Sequence, residues 1–484
     1  MTVPAGGDAQ VTLTADTRIA GPDGYLTGAL TAAMGDQTMR TPFAVNKEVE
    51  SYTLTLAHTA TDGSPANAYL TVLQDADFPA AIDGRIQYDP SGTVTVRVAK
   101  GRYSLWSVIF PNRSDRSGLP SDQAANLLVQ PVLDVDADRS VAVDARLAKA
   151  SSITVPSASA RNVFALFSYL LARPSYPASG GLFSSSFDWI RSGQLGDSGP
   201  VEGLTSEIAG TWATLLDNDG LTNRAATYSI SHHEFGKTVV GYQRKVAQSE
   251  LATVTTSYHA GDDKGFSGRW YATARLPGEG ESHPPAIGKS FPMPSTITHF
   301  FNSDSDAQWQ SVVDQIWTDP DGNQDILGEF RGPWTGYQAG RSYAETWNHA
   351  VFGPTFPSPG GVSTGVTRTG DTIGVDLPLY GDGAGRDGYG GDSGSVALYR
   401  DAVKIGETAE IGGASSPCRP RRRPTGYRCT PTAAYRMCCP PPSTRPGRSD
   451  RRTSTVTSRR NSRCWAYGSP PRSTTTMPRR PAAP

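Results

Sequence analysis

Apolar and polar residues alternate along much of the chain, in short runs separated by glycine, proline, asparagine and aspartate. Such alternation is typical of half-buried β-strands bounded by turns. It predicts strands in the segments VTLTA, GYLTGAL, SYTLTLAH, GTVTVRV, GRYSLWSVI, LLVQPVLDVD, SVAVDAR, YSISHHEF, ATVTTSYH, RWYATARL, GEFRGPW and SVALYRDAVKIGET. Two of these strands flank a turn at Lys100-Gly101, and we predict a β-hairpin there. The chain is therefore expected to be mainly β.

The spacing of these strands predicts tandem β-sandwich domains. We expect residues 1–46 to be the C-terminal strands of a fibronectin-III-like domain, 47–150 a prealbumin-like β-sandwich and 151–375 a larger β-rich domain. Residues 376–412 then begin a truncated β-sandwich, and residues 413–484 form a disordered tail. Because the first and last sandwiches lack strands, we expect unpaired sheet edges and poor solubility.

Composition excludes several classes of protein. The 484 residues include 45 basic and 46 acidic side chains, so the net charge of -1 gives no reason to expect nucleic acid or an anionic membrane as partner. No apolar run approaches the roughly 20 residues of a membrane-spanning helix. Met1–Asp16 has neither the basic nor the apolar region of a secretory signal, so we expect the chain as given to stay in the cytoplasm.

The tail differs from the rest of the chain. It holds 16 Arg and 13 Pro but no Lys, Glu, Leu, Ile or Phe, a composition that cannot bury an apolar core. All five cysteines lie in it, so no disulfide framework is expected before it: Cys418, Cys429, Cys438, Cys439 and Cys464. A basic nucleic-acid-binding arm and a disordered linker are alternatives, but we favour translation out of frame from a high-GC gene. Arg463–Pro478 can be back-translated into GC-rich codons, and reading those codons from their third base encodes a peptide with a strand-like pattern. Sequencing the DNA across codon 412 tests whether the reading frame shifts there.

One segment resembles the surroundings of a catalytic serine. The GDSG tetrapeptide of Gly391–Gly394, with Asp392 and Ser393, matches that around the nucleophile of chymotrypsin-like peptidases. A serine hydroxyl needs a base, usually histidine, oriented by a carboxylate. No histidine has the sequence context of that base, among His58, His232, His233, His259, His283, His299 and His349. The tetrapeptide recurs at Gly196–Gly199, and Gly and Asp are ordinary turn residues, so we interpret it as a hairpin loop and expect no catalytic residue.

Acidic loops could suggest bound calcium. Asp382, Asp387 and Asp392 are spaced evenly among glycines, as in calcium-binding glycine-rich repeats. One such loop supplies only some of the six to eight oxygens that Ca²⁺ takes, so we interpret it as a flexible turn. The loops at Asp217 and Asp319 lack the EF-hand spacing and also predict turns.

His232 and His233 could suggest a pair of metal ligands. Adjacent residues of a strand point to opposite faces, so both cannot bind one ion from the same side. We expect both at the surface, and we predict neither a metal site nor a cofactor.

Six segments of the chain resemble the long region that follows the catalytic domain in secreted subtilisin-like serine peptidases of high-GC Gram-positive bacteria. They are DGYLTGAL, RTPFAVNKEVESYTLTLAH, GTVTVRVAKGRYSLWSVI, LLVQPVLDVDADRSVAVDAR, RSYAETWNHAVFGP and LYRDAVKIGET, and the likeness covers residues 3–412. In that family the triad belongs to an amino-terminal domain with a Gly-Thr-Ser-Met-Ala-like segment. The chain has no such segment, so no catalytic residue is carried over.

The resemblance implies a non-catalytic accessory fragment of an extracellular endopeptidase, inactive alone, whose partner is the missing peptidase domain. The alternative is a secreted module that binds carbohydrate or cell wall, using aromatic residues around Trp334 and Trp347. The aromatic set of this module would be Trp309, Trp317, Trp334, Tyr343 and Trp347. Large aromatics are more often core anchors of a β domain, so we favour the core interpretation. An autonomous peptidase using Ser393 is the third alternative.

Overall fold

The structure of the protein is a computed structural model. The structure describes residues 6–8, 10–17, 21–75, 84–112, 124–173, 177–218, 220–259, 266–277, 279, 288–319, 322–353, 355–356, 365–369, 372–378, 380–389, 396–400, 403–408, 414–417 and 436–437. The described residues are mainly β and form several sheets, as the alternating pattern predicts. The mainly β prediction and the prediction of tandem β-sandwiches are confirmed.

The strands are as follows. The first are β1 (Gly24–Met34), β2 (Gln37–Lys47), β3 (Ser51–Thr59), β4 (Tyr69–Asp75), β5 (Thr93–Ala99), β6 (Gly101–Ile109), β7 (Ala125–Val135), β8 (Arg139–Asp144), β9 (Lys149–Ala150), β10 (Ser152–Thr154), β11 (Arg161–Leu171), β12 (Ala178–Ser184) and β13 (Ile190–Gln194). Next come β14 (Leu204–Ala213), β15 (Leu216–Asp217), β16 (Gly220–Leu221), β17 (Ala226–Phe235), β18 (Gln243–Lys245), β19 (Leu251–Tyr258), β20 (Phe266–Arg275), β21 (Lys289–Pro292), β22 (Ser295–Asn302), β23 (Gln308–Thr318), β24 (Gln324–Arg331) and β25 (Ser342–Trp347). The last are β26 (Gly365–Thr369), β27 (Thr372–Asp376), β28 (Asp387–Tyr389), β29 (Val396–Arg400), β30 (Val403–Thr408), β31 (Ala414–Pro417) and β32 (Arg436–Met437). Short 3₁₀ helices lie at Ala145–Leu147, Phe187–Trp189, Gln248–Glu250 and Asp304–Asp306.

Backbone contacts divide the chain into two compact units. The first comprises Met1–Thr154, Ala165–Ile208 and His232–Arg244. The second comprises Val155–Phe164, Ala209–Ser231 and Lys245–Pro484.

The first unit contains a β-sandwich of a five-stranded and a three-stranded sheet. The strand orders are β4-β6-β7-β13-β9 and β5-β3-β8. The alternating residues of SYTLTLAH behave as the pattern predicts, because Leu54 and Leu56 are fully buried in the core of this sandwich. Strand β13 pairs in parallel with β7, so strands from both sides of the predicted boundary at residue 150 build this sandwich. The predicted domain boundaries stay a prediction.

The hairpin predicted at Lys100-Gly101 is wrong. Strand β5 pairs with β3, whereas β6 pairs with β4 and β7, so the two strands belong to different sheets. The turn carries the chain from one layer of the sandwich to the other. Alternation of apolar residues is the same for a strand in either layer, which is why the sequence pattern did not reveal the crossing.

The second unit contains a larger two-layer arrangement. One layer includes the strand order β17-β22-β19-β25, and the other has the order β21-β20-β23-β24-β28. Side chains of both layers share one core, whose fully buried aromatic residues are Tyr258, Trp270, Phe291, Phe301 and Trp347. The ring of Phe291 covers Gly268 on the neighbouring strand, where an added Cβ would lie 2.1 Å from a ring carbon. Two three-stranded sheets, β26-β27-β31 and β30-β29-β32, follow.

Strands β1 and β2 form a separate antiparallel hairpin. Its register places Leu26 opposite Val45 and Ala32 opposite Met39, which puts the larger apolar residues on one face. Several of them are exposed, among them Leu26 at 40%, Leu30 at 45%, Met34 at 77% and Met39 at 68%. Within the described part of the chain, this hairpin is a sheet of two strands only.

The strand predicted around Val11 and Leu13 is wrong. Residues 10–17 have no strand conformation, and both side chains are more than half exposed. A strand needs a partner to pair with, and alternation alone does not supply one.

Candidate functional site

The catalytic-looking tetrapeptide at Ser393 lies outside the described residues, so the hairpin-loop interpretation stays a prediction. Its second copy, Gly196–Gly199, forms an exposed bend. The backbone N–H of Gly199 donates to Oδ1 of Asp197 over 3.0 Å. Asp197 therefore stabilises a local turn in this copy.

A histidine–hydroxyl contact is buried in the first unit. Nε2 of His58 lies 2.7 Å from Oγ1 of Thr71, which lies 2.7 Å from Oγ of Ser107. His58 is 2% exposed, and burial lowers the pKa of its imidazole. Thr71 and Ser107 are also buried. The hydroxyl groups of this hydrogen-bonded series therefore face the core of the sandwich and not a cleft.

The second unit has a comparable contact at His299. Its Nδ1 lies 2.7 Å from Oγ1 of Thr227, and its Nε2 lies 2.8 Å from the hydroxyl of Tyr258. Trp270 stacks on the imidazole at 4.2 Å between ring centroids. Burial lowers the pKa of His299 to about 3 and raises that of Tyr258 well above its usual value. The neutral imidazole therefore links β17, β22 and β19 through both ring nitrogens.

A carboxylate lies between a hydroxyl and an imidazole on strands β11, β14 and β17 in the first unit. The Ser168 hydroxyl donates to Oε2 of Glu207 at 3.3 Å, and Nε2 of His233 lies 3.8 Å from Oε1 of the same carboxylate. The hydroxyl proton is thus directed at the carboxylate, whereas an activated serine donates it to an imidazole. His233 is 6% exposed, so its predicted surface position is wrong. Its neighbour His232 stacks on Tyr242 at 4.4 Å and is partly exposed.

The acidic, glycine-rich loop at residues 380–389 holds its own backbone in place. Oδ1 of Asp382 accepts the backbone N–H groups of Ala384 and Arg386 at 3.0 and 3.1 Å. Its Oδ2 lies 3.6 Å from Nη1 of Arg386. Asp387 is also buried and accepts from the Thr355 hydroxyl at 3.3 Å. Asp392 lies outside the described residues, and the flexible-turn interpretation of the whole loop stays a prediction.

Arg386 is the centre of a buried polar cluster in the second unit. Its guanidinium lies over the ring of Trp347 at 4.1 Å and 3.5 Å from a carboxylate oxygen of Glu345. Glu345 also accepts from the indole N–H of Trp347 at 2.9 Å and from the hydroxyl of Tyr337 at 2.6 Å. Burial raises the pKa of Tyr337. This cluster fixes the loop against the end of strand β25.

The aromatic set proposed as a sugar platform is divided between core and surface. Trp309 and Trp347 are 3% and 1% exposed and belong to the core, against which Tyr343 packs. Trp334 is partly exposed, but the guanidinium of Arg275 covers its ring at 4.3 Å. A platform that uses Trp347 is therefore wrong, because its ring faces are not accessible.

The turn predictions at Asp217 and Asp319 are confirmed. Asp217 pairs with Gly220 in a tight hairpin between β15 and β16. Asp319 accepts the backbone N–H of Asn323 on its Oδ1 at 2.7 Å, which closes the turn between β23 and β24.

A cavity of about 630 Å³ in the second unit brings together residues distant in sequence. Strands β19 and β25 are parallel and end in register at Tyr258 and Trp347, so the residues that follow them meet at one edge of the sheet. His259 follows one strand, and Asn348 and His349 follow the other. The remaining lining includes Gln315, Leu327, Phe330, Phe352 and Tyr380.

Hydrogen bonds fix the main chain at this sheet edge. The N–H of His259 donates to the carbonyl of Trp347 at 3.0 Å, and Nδ2 of Asn348 donates to the carbonyl of His259 at 2.6 Å. The N–H of Gly383 donates to the carbonyl of His349 at 2.6 Å. Position 383 needs glycine, because a Cβ there would lie 2.7 Å from the carbonyl oxygen of Ala350. The glycine-rich loop therefore positions the backbone of His349.

Sequence reasoning missed this cavity. Local sequence patterns indicate no role for Asn348 and suggest His259 and His349 only as candidate bases for a serine. The parallel pairing of β19 and β25 is what brings these residues together, and no local sequence pattern predicts that pairing.

Comparison with known proteins gives little further information. No protein-family model matches the chain, and no curated protein sequence matches it significantly. Among solved structures, it is similar to the major pilin subunit of Bacillus cereus at 10% identity and a TM-score of 0.15, over 61% of this chain and 99% of that one. It is also similar to the Bacillus anthracis TIE protein at 9% identity and a TM-score of 0.13, over 87% of this chain and 71% of that one. Scores this low carry no argument about function.

The described residues contain neither a candidate membrane-spanning helix nor a cluster of three metal ligands. No helix there has the length and apolar character needed to cross a bilayer. No group of three or more His, Cys, Asp and Glu side chains there is placed to hold a metal ion.

Proposed function

We propose that the chain is a non-catalytic accessory region of a secreted subtilisin-like serine endopeptidase and is inactive alone. The proposal rests on the sequence resemblance over residues 3–412 and on one structural observation, the exposed apolar face of the β1–β2 hairpin.

The hairpin has the properties of part of a larger sandwich. A two-stranded hairpin is marginally stable in water, and stable sandwiches cover one face of each sheet. Leu26, Leu30, Met34 and Met39 are 40–77% exposed, and covering each would contribute roughly 1–2 kcal/mol. We infer that further strands of the parent protein cover this face.

The buried hydroxyl groups also support a non-catalytic role. His58 and His299 each use a ring nitrogen to bind a hydroxyl inside a core, and burial lowers both pKa values. A general base works best with a pKa near the operating pH and within reach of the substrate. Neither histidine meets these requirements.

Labelling with a fluorophosphonate probe tests the absence of serine hydrolase activity. The purified full chain is expected to remain unlabelled under conditions in which subtilisin is labelled completely. A labelled band that disappears when one serine of the chain is replaced by alanine would show that the proposal is wrong.

The role of the hairpin is tested by solubility and sedimentation. The exposed face and free edges are expected to cause concentration-dependent self-association. Met39→Lys places a charge on the apolar face and is expected to reduce association, whereas Thr31→Lys, on the opposite face of the same hairpin, is the matched control. Equal self-association of both variants and the original chain would show that this face does not mediate association.

A further inference from the structure

Two imidazoles lie close together, edge to face, just after the ends of β19 and β25. The ring centroids of His259 and His349 are 5.4 Å apart, and the ring planes are inclined at 86°. Both side chains are exposed at the cavity, so both ring systems are accessible from solution.

This spacing suits two nitrogen ligands of one metal ion. Zn–N bonds are about 2.0–2.1 Å long, so two imidazoles on a tetrahedral zinc ion have centroids about 5 Å apart. The observed separation of 5.4 Å is close to that value. Imidazole is also a preferred ligand of copper and nickel.

Asn348 supplies an independent observation. Its side chain is 5% exposed and lines the same cavity. The Nδ2 group donates to the carbonyl of His259, but Oδ1 accepts no hydrogen bond from the described residues. A buried amide oxygen without a donor is costly, and a bound water or ligand group normally satisfies it.

We propose that His259 and His349 bind a divalent transition-metal ion of the zinc, copper and nickel class, and that Asn348 Oδ1 accepts a hydrogen bond from a water molecule bound to that ion. Water molecules complete the coordination, since two imidazoles leave open positions. Main-chain hydrogen bonds of His259 to Trp347 and of His349 to Gly383 fix the two backbone positions before the ion binds. The proposal does not depend on the accessory role.

Calorimetric titration of the full chain with ZnCl₂, and separately with NiCl₂, tests the site. The cysteine thiols are first alkylated, because thiolates are themselves strong zinc ligands. One equivalent is expected to bind, and His259→Ala or His349→Ala is expected to weaken it by more than about 100-fold. His232→Ala, which changes a partly exposed histidine of the first unit, is the matched control and is expected to bind like the original chain.

Two results would overturn the proposal. Absence of binding would mean that the imidazoles make only an edge-to-face ring contact. Binding that survives both His259→Ala and His349→Ala would place the ion elsewhere. Near-ultraviolet circular dichroism shows that each variant is folded.

The role of Asn348 needs its own variant. Its φ is +56°, so glycine is the replacement that keeps this backbone conformation. Asn348→Gly is expected to weaken metal binding about 10- to 100-fold, as for other groups that orient ligands. An unchanged affinity for the metal ion would show that Asn348 takes no part in the site.

Discussion

Lowering the pH from about 7.5 to about 5 is expected to destabilise the second unit by about 2 kcal/mol through His299 alone. Burial lowers the pKa of this histidine from its ordinary 6.5 to about 3 in the folded chain. Between these two values the unfolded chain binds a proton at His299 that the folded chain does not. The free energy of unfolding therefore falls as the pH falls through this window.

The magnitude follows from the size of the shift. Each pH unit within the window changes the free energy of unfolding by about 1.4 kcal/mol for one proton. The groups around His299 are the hydroxyls of Thr227 and Tyr258 and the ring of Trp270, which do not ionise between about pH 5 and pH 7.5. Carboxylates titrate mainly below about pH 5, so the chosen range isolates the histidines.

Urea unfolding at several pH values, followed by tryptophan fluorescence, measures this effect. Trp270 stacks on the imidazole and reports on the region directly. His299→Gln is expected to lower stability at neutral pH but to flatten its pH dependence by about 1.4 kcal/mol per pH unit. His232→Gln, at a partly exposed histidine of the first unit, is expected to leave this slope unchanged. An unaltered slope in His299→Gln would refute the reasoning.

Two further changes test the buried cluster and the glycine-rich loop. Arg386→Met removes the cationic partner of the buried Asp382 carboxylate and of the partly buried Glu345 carboxylate, and is expected to destabilise the second unit by about 3 kcal/mol, measured by urea unfolding. Arg102→Met, which breaks an exposed ion pair, is the control and is expected to cost less than about 1 kcal/mol. Gly388→Ala would place a Cβ 2.1 Å from the carbonyl oxygen of Tyr380, and we expect a loss of about 1–3 kcal/mol with faster hydrogen exchange in this loop. If Arg386→Met unfolds at the same urea concentration as the original chain, the buried cluster does not depend on this arginine. If Gly388→Ala exchanges its amide hydrogens as slowly as the original chain, the close packing described for the loop is contradicted.

Much of the strand content could be predicted from the sequence, because alternation is a local signal. Leu54 and Leu56 alternate with polar residues in SYTLTLAH, and both are buried as expected. The turns at Asp217 and Asp319 were predicted for a similar reason, since short-range side-chain to backbone bonds form them.

Pairing between strands could not be predicted in the same way. The residues flanking Lys100-Gly101 have the pattern of a hairpin, but their partners lie in different sheets. His233 was expected at the surface, because a histidine beside another polar residue gives no sign of a buried carboxylate on a neighbouring strand. The cavity at His259 and His349 depends on a parallel pair of strands far apart in the chain, to which the period of apolar residues is insensitive.

The parallel pairing of β13 with β7 has a consequence for synthesis of the chain. The five-stranded sheet of the first sandwich cannot close until Gln194 has left the ribosome, although most of its strands emerge much earlier. Pairing between distant segments forms slowly. Nascent chains therefore expose an open edge of β7 for the time needed to translate some sixty further residues, a period in which chaperone binding or premature contact between chains competes with folding.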